Sequence, residues 1–187
     1  MPFRFVPRGF RICSFFAVLI CLAGVEAADV PQGPSKDIPE LQILNCYAGT
    51  WEVIAANQNA PNTPILKGKA TSKWVLDGRF LEQTAALQAP DGSNSIKVTT
   101  LLTYDVEKKT YRSWNFVSNG HATESVGKWD AATQTMTSVS IPNAKGHIMT
   151  TTGNFDEAGI EKWKMSVVDQ SGKIVRQIVG KNSRQRE

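Results

Sequence analysis

The chain has 187 residues, with 21 Lys and Arg against 17 Asp and Glu and a formal net charge of +4. That length suits one domain with a sizeable core. The mild, dispersed charge makes no basic stripe of the kind that tracks a phosphate backbone, so nucleic acid is not an expected partner.

The N-terminus reads as an export signal. Arg4, Arg8 and Arg11 precede an apolar run from Ile12 to Gly24, and Val25 and Ala27 are small residues spaced as in a cleavage site. This is the pattern of a secretory signal peptide over residues 1–27, cut after Ala27. The rival is a membrane anchor, but a run of this length rises only about 20 Å as a helix, short of a hydrocarbon core of about 30 Å. No membrane span is expected after cleavage, and the expected location is periplasmic or extracellular. Lipid attachment at Cys21 is disfavoured because Ile20, just before it, is not small. The leader removes three Arg and one Glu, leaving a net charge of +2. It also removes two of the three cysteines. Cys46 then has no partner for an intrachain disulfide, and it reads either as a small buried hydrophobe or as a reactive thiol.

Residues 28–37, "ADVPQGPSKD", form a polar lead-in. The domain is expected over 38–187. Ile38, Leu41 and Leu44 or Asn45 recur at helical spacing, and Pro39 suits a first turn, so a short helix runs to about Tyr47. After Gly49 the helical period vanishes. Ten strands are predicted, near 50–56, 65–76, 79–88, 95–105, 110–118, 121–130, 134–141, 145–155, 160–169 and 173–181. Turn signals separate them, among them Asp77-Gly78, Asp91-Gly92, Asn119-Gly120 and Ser171-Gly172. The expected fold is all-β, an antiparallel up-and-down barrel with a short N-terminal helix plugging one end. Closure removes the two edges that ten strands would otherwise expose.

Asn119-Gly120 is the sequence of a two-residue type I′ turn, which pairs Ser118 with His121. Pairing outward then joins Phe116 to Thr123, Trp114 to Ser125 and Arg112 to Gly127, with Trp129 continuing that face. These aromatics should point inward, leaving Tyr111, Asn115 and Val117 outside. The inner face would also carry Arg112, His121 and Thr123. A packed core seldom admits an Arg and a His, because a buried charge needs a partner. A ligand-holding lumen would admit them, and so would strand ends that reach water. Arg112, Trp114, Phe116, His121, Thr123 and Trp129 are therefore the candidate ligand-binding residues. Trp114, Phe116, Trp129 and Trp163 also fit an ordinary core.

In the last hairpin Trp163, Met165 and Val167 should face inward. A four-residue turn adds Ile174, Arg176 and Ile178 to that face, and a three-residue turn adds Val175, Gln177, Val179 and Lys181 instead. The loop "NQNAPNTP" at 57–64 reads as a lid over the mouth or, with its few apolar residues, as a tether.

Gly49-x-Trp51 in "AGTWEV" resembles the motif that opens lipocalin-like barrels of the calycin superfamily. The resemblance implies that Trp51 sits at the closed end beneath a basic side chain from the last strand, here Lys181 or Arg176, with a preference for Lys181. "LQILNCYAGTWEV", "VLDGRFLEQ", "LLTYDVEKKTYRSW" and "VGKWDAATQTMT" together are similar to an uncharacterised family of secreted bacterial domains, common in planctomycetes and built like calycins. That family is a domain of unknown function, so it implies fold and export and supplies no active site.

The two histidines, His121 and His147, are the candidates for a haem ligand. The haem-binding nitrobindin group shares a ten-stranded barrel and an early Gly-x-Trp. Here Glu52-Val53-Ile54 replaces the further glycines that follow the Trp in that group, which weakens the haem reading. No metal-ligand spacing, nucleophile elbow or phosphate loop is present. The first expectation is thus non-catalytic binding of a small apolar or amphipathic molecule by a monomer or homodimer. The alternatives are a protein-interaction module with a filled core, and a haem protein or enzyme.

Overall fold

The computed structural model describes residues 33–156 and 159–185. The leader expected over 1–27, including Cys13 and Cys21, lies outside the described residues.

Leu41–Leu44 form one helical turn, α1, which continues as a 3-10 turn over Asn45–Tyr47. The expected helix is therefore shorter and tighter than a regular one. Gly49, at φ +106°, turns the chain from helix into sheet.

Ten strands follow: β1 (Gly49–Asn57), β2 (Pro64–Val75), β3 (Phe80–Gln88), β4 (Ser95–Asp105) and β5 (Thr110–Val117), then β6 (Ala122–Asp130), β7 (Thr135–Ser140), β8 (Ile148–Phe155), β9 (Ile160–Val168) and β10 (Ile174–Arg184). Each pairs antiparallel with its sequence neighbours, and β1 pairs with β10 to close the barrel. The all-β up-and-down barrel expected from alternation and turn signals is the fold observed.

Alternation in each strand sends one set of side chains into the barrel. At the end where the plug sits, Leu41 and Leu44 pack fully buried with Trp74, Leu81, Tyr111 and Met136. Beside them, Trp51, Val53 and Ala70 form a second cluster against Phe155. The plug is fastened by polar contacts as well. Trp74 Nε1 donates to Asn45 Oδ1 at 3.1 Å, and the Tyr111 hydroxyl donates to the Glu40 carbonyl at 3.0 Å.

The register of the β5–β6 hairpin corrects the expected one. The Val117 N–H donates to the His121 carbonyl at 2.8 Å, and the Gly120 N–H donates back to the Val117 carbonyl at 2.9 Å. The loop therefore holds three residues, with Gly120 at φ +88°, the three-residue loop that ends on a left-handed glycine. Asn119 does not take the positive φ that a type I′ turn requires. Ser118 is instead claimed by β4: its N–H donates to the Lys97 carbonyl, and its Oγ accepts from the Lys97 N–H.

As a result Phe116 pairs with Ala122, Trp114 with Glu124 and Arg112 with Val126. A slip of one residue turns a strand over. Tyr111, Ser113, Asn115 and Val117 face the lumen, and Arg112, Trp114 and Phe116 face outward.

β10 runs three residues further than expected. After a three-residue turn, a bulge at Val175 shifts its register. Ile178, Gly180 and Asn182 then pair with Met165, Trp163 and Glu161. The bulge, and not the turn length, decides which residues face inward.

Candidate functional site

Above the plug the barrel encloses a cavity of about 430 Å³, within the range of small-molecule sites. The lumen is therefore not a filled core. Ala70 and Ala85 are paired across β2 and β3, and their small side chains leave room there. Val53, Leu87, Val98, Leu102 and Met165 supply apolar wall. Neutral polar groups interrupt it. Thr100 Oγ1 donates to Asn115 Oδ1 at 2.7 Å, and Gln83 Nε2 donates to Ser72 Oγ at 3.1 Å. Thr123 and Ser138 add hydroxyls to the same wall.

The floor carries a carboxyl group. Glu161 is 8% exposed and lies at the plug end of β9. Its Oε2 accepts a 2.6 Å hydrogen bond from Asn182 Nδ2, and Asn182 Oδ1 accepts from Trp163 Nε1 at 3.0 Å. Indole N–H can only donate, so Trp163 turns the Asn182 amide to present its NH₂ to Glu161. Gly153 on β8 is paired with Trp163 and lies diagonally across from Glu161, and a Cβ there would lie 2.6 Å from Glu161 Oε1. The absent side chain is what gives this carboxylate oxygen its place. Burial raises the Glu161 pKa from 4.5 to about 7, against the opposing effect of the Asn182 hydrogen bond. Among the described residues no cation pairs with it.

Two groups from the plug share this floor. Burial raises the Tyr47 hydroxyl well above its usual range, with Glu161 adding to the shift. Burial, then Glu161, push the Cys46 thiol up to about 12. Cys46 is half-buried, and its Sγ donates to the Ile43 carbonyl at 2.9 Å. Thiolate is the species that reacts, so alkylation of Cys46 in the folded protein should run on the order of a hundredfold slower than in denaturant. Stopped-time labelling read by intact mass checks this, and equal rates would contradict the buried reading.

Trp51 sits at the closed end, as the Gly-x-Trp resemblance implies, but its cover is neither Lys181 nor Arg176. The Arg184 guanidinium lies 4.7 Å from the Trp51 ring centre, and Arg184 Nη2 donates to the Cys46 carbonyl at 2.7 Å. Arg184 is paired with Trp51 across β1 and β10. Lys181 is exposed and pairs with Ile54 and Lys162, while Arg176 is exposed at the far end of the strand. The extra length of β10 carries the guanidinium to the Trp.

The expected ligand-binding set divides. Thr123 lines the lumen. Trp129 faces inward but packs against the plug cluster. Arg112, Trp114 and Phe116 lie on the outer wall. Arg112 is ion-paired with Asp105 at 3.3 Å and with Glu124, and it stacks over Trp114 at 5.4 Å. Phe116 is 48% exposed. His121 is exposed beside the Asn119-Gly120 turn. His147 sits in a mouth loop, where its N–H donates to Asn143 Oδ1, and it borders a shallow side pocket with Ile141 and Met149. Neither imidazole lines the lumen, so a haem ligand from these two would have to act from the rim. The 57–64 segment is an exposed turn that contributes nothing to the lumen wall.

Glu161 and Asn182 were missing from the expected site. The signal for Glu161 was present: it shares parity with Trp163 and Met165, both expected inside. Asn182 carried no such signal, because the strand was expected to end before it.

A family model described as "Protein of unknown function (DUF1579)" matches residues 37–166. The four sequence blocks noted at 41–53, 75–83, 101–114 and 126–137 all fall inside that span. No curated protein matches the chain, whereas 21 chains of solved structures do. One is the crystal structure of Rv2717c from M. tuberculosis, with a TM-score of 0.60 and 16% identity, covering 80% of this chain and 99% of that one. At that identity the likeness is one of fold alone.

Proposed function

This chain belongs to the DUF1579 family of proteins of unknown function, and we propose that it binds a small, partly apolar molecule in the barrel lumen without transforming it. The observation that carries this reading is the cavity of about 430 Å³, walled by aliphatic side chains and spaced neutral hydroxyl and amide groups. Pockets of that size and mixture bury most of a small ligand while a few polar groups orient it. Thr123 remains a contact from the expected set, joined by Asn115, Ser138 and Glu161. Export is part of the same proposal, supported by Arg4, Arg8 and Arg11 ahead of the Ile12–Gly24 apolar run.

The test fills the lumen. Ala85→Phe projects a ring into space that a ligand would use, from a position half-buried on the β3 wall. The variant should keep the far-ultraviolet spectrum of the barrel. In native mass spectrometry of protein from its own cells, retained ligand should fall at least about tenfold, a loss of about 1.4 kcal/mol or more. Unchanged ligand in a folded Ala85→Phe protein would show that the molecule binds elsewhere.

A further inference from the structure

Two charged residues border the lumen. Arg112 is one, but its side chain is turned to the outer face of β5, where the guanidinium is held by Asp105 and Glu124. Glu161 is the other. It is the one carboxylate on the cavity wall among the described residues, and it stands at the plug end, where Leu44 and Tyr47 also line the cavity. Its Oε2 is held by Asn182, while Oε1 has no hydrogen-bond partner among the described residues and occupies the space left by Gly153. The groups around it do not offer a charge. Cys46 and Tyr47 are neutral, Asn182 and Trp163 are committed to each other, and Arg184 is turned away to the Cys46 carbonyl and the Trp51 ring. Lys162 and Lys164, its neighbours on β9, are exposed and point to the opposite face of the strand. A buried carboxyl oriented by a dedicated amide, with one oxygen open to an apolar cavity, is an acceptor awaiting a donor.

We propose that the lumen selects amphipathic molecules bearing a basic nitrogen, whose ammonium docks on Glu161 at the floor while the apolar part lies along the Val53, Leu87 and Val98 wall. The proposal rests on the lumen being a ligand site, and it names the chemical class that the site takes. A carboxylate ligand would be repelled at the floor. An alcohol of equal length would gain the same apolar burial and only a neutral hydrogen bond, which is weaker than a charge-assisted one. Binding should strengthen as pH rises through the Glu161 midpoint of about 7, because the ionised carboxylate is the form that attracts the ammonium.

The experiment compares decylamine, decanol and decanoate on the mature protein by isothermal titration, about one unit above and one unit below that midpoint. The expected result is that the amine binds at least about tenfold tighter than the alcohol at the higher pH. Decanoate should be the weakest. The amine's advantage should shrink at the lower pH and vanish in Glu161→Gln, while decanol affinity stays within about threefold of the native value. Equal affinity for amine and alcohol, or an amine preference that survives in Glu161→Gln, overturns the proposal and leaves the lumen reading standing. If none of the three binds, both fall. Should Glu161→Gln fail to fold, the pH comparison on the native chain decides alone: an amine preference that does not shrink at the lower pH counts against it.

Discussion

Glu161→Gln should make the barrel more stable above neutral pH, and hardly change it in acid. Burial raises this carboxyl from 4.5 to about 7 in the folded chain. The folded state therefore holds the proton more tightly than the unfolded state does. The stability contributed by protonated Glu161 is complete below about 4.5 and is lost as pH rises through about 7. The gap between those values corresponds to roughly 3 kcal/mol of differential stability. Gln keeps the shape and a polar contact with Asn182 but has no charge to desolvate, so it escapes that loss. Denaturant unfolding at about pH 8 should give Glu161→Gln an advantage of up to roughly 3 kcal/mol, or about 6–12 °C in Tm for a domain of this size. At about pH 4 the two proteins should coincide. Parallel stability curves across that range would mean that Glu161 titrates normally and that its burial carries no electrostatic cost. A substitution that stabilises the fold yet abolishes amine selectivity would mark Glu161 as retained for binding.

Leu44→Ala should be among the most damaging single changes. Leu41 and Leu44 are both 0% exposed, and they join α1 to Trp74, Leu81, Tyr111 and Met136. Truncating a fully buried Leu costs about 2–5 kcal/mol, depending on how far the site collapses. Collapse is limited here because rigid barrel strands surround the plug. Leu44 also lines the lumen, so its removal would lower the floor next to Glu161 and loosen ligand as well as fold. Phe116→Ala is the matched comparison. That ring is half exposed on the outer wall, so its truncation should cost under about 1 kcal/mol and leave lumen binding unaltered. Urea midpoints for the pair check the ranking, and equal costs would refute the assignment of Phe116 to the outer wall.

The pattern of misses in the expected site has a common physical origin. On β6 the expected inward set, Thr123, Ser125 and Gly127, is the observed one. On β5 the expected set is inverted. Both followed from one turn assignment, and the turn was decided by a contact the hairpin itself does not contain, Ser118 bonding to Lys97 on β4. Strand parity within a run is local. The phase of that parity relative to the core depends on the turn, and the turn depends on the next strand over. The same holds at β10, where the bulge at Val175 sets which residues face Glu161 and Trp163. Arg184 follows suit: a strand that runs three residues further than its apolar pattern suggests brings a guanidinium across Trp51.

What the sequence by itself determined is the class of fold. Strand number, strand limits to within a few residues, the plug and the Gly49-x-Trp51 closure are written in alternation, turn residues and a Gly at the helix-to-strand turn, all of them properties of neighbouring residues. Only the tertiary structure decided which faces line the lumen and that a carboxyl group lies at its floor. Glu161, Asn182, Trp163 and Gly153 are drawn from three strands, and β8 to β10 must be paired in register before they meet. Burial then raises the Glu161 pKa to about 7. Desolvation is a property of everything packed around a group, and no local stretch of sequence contains it.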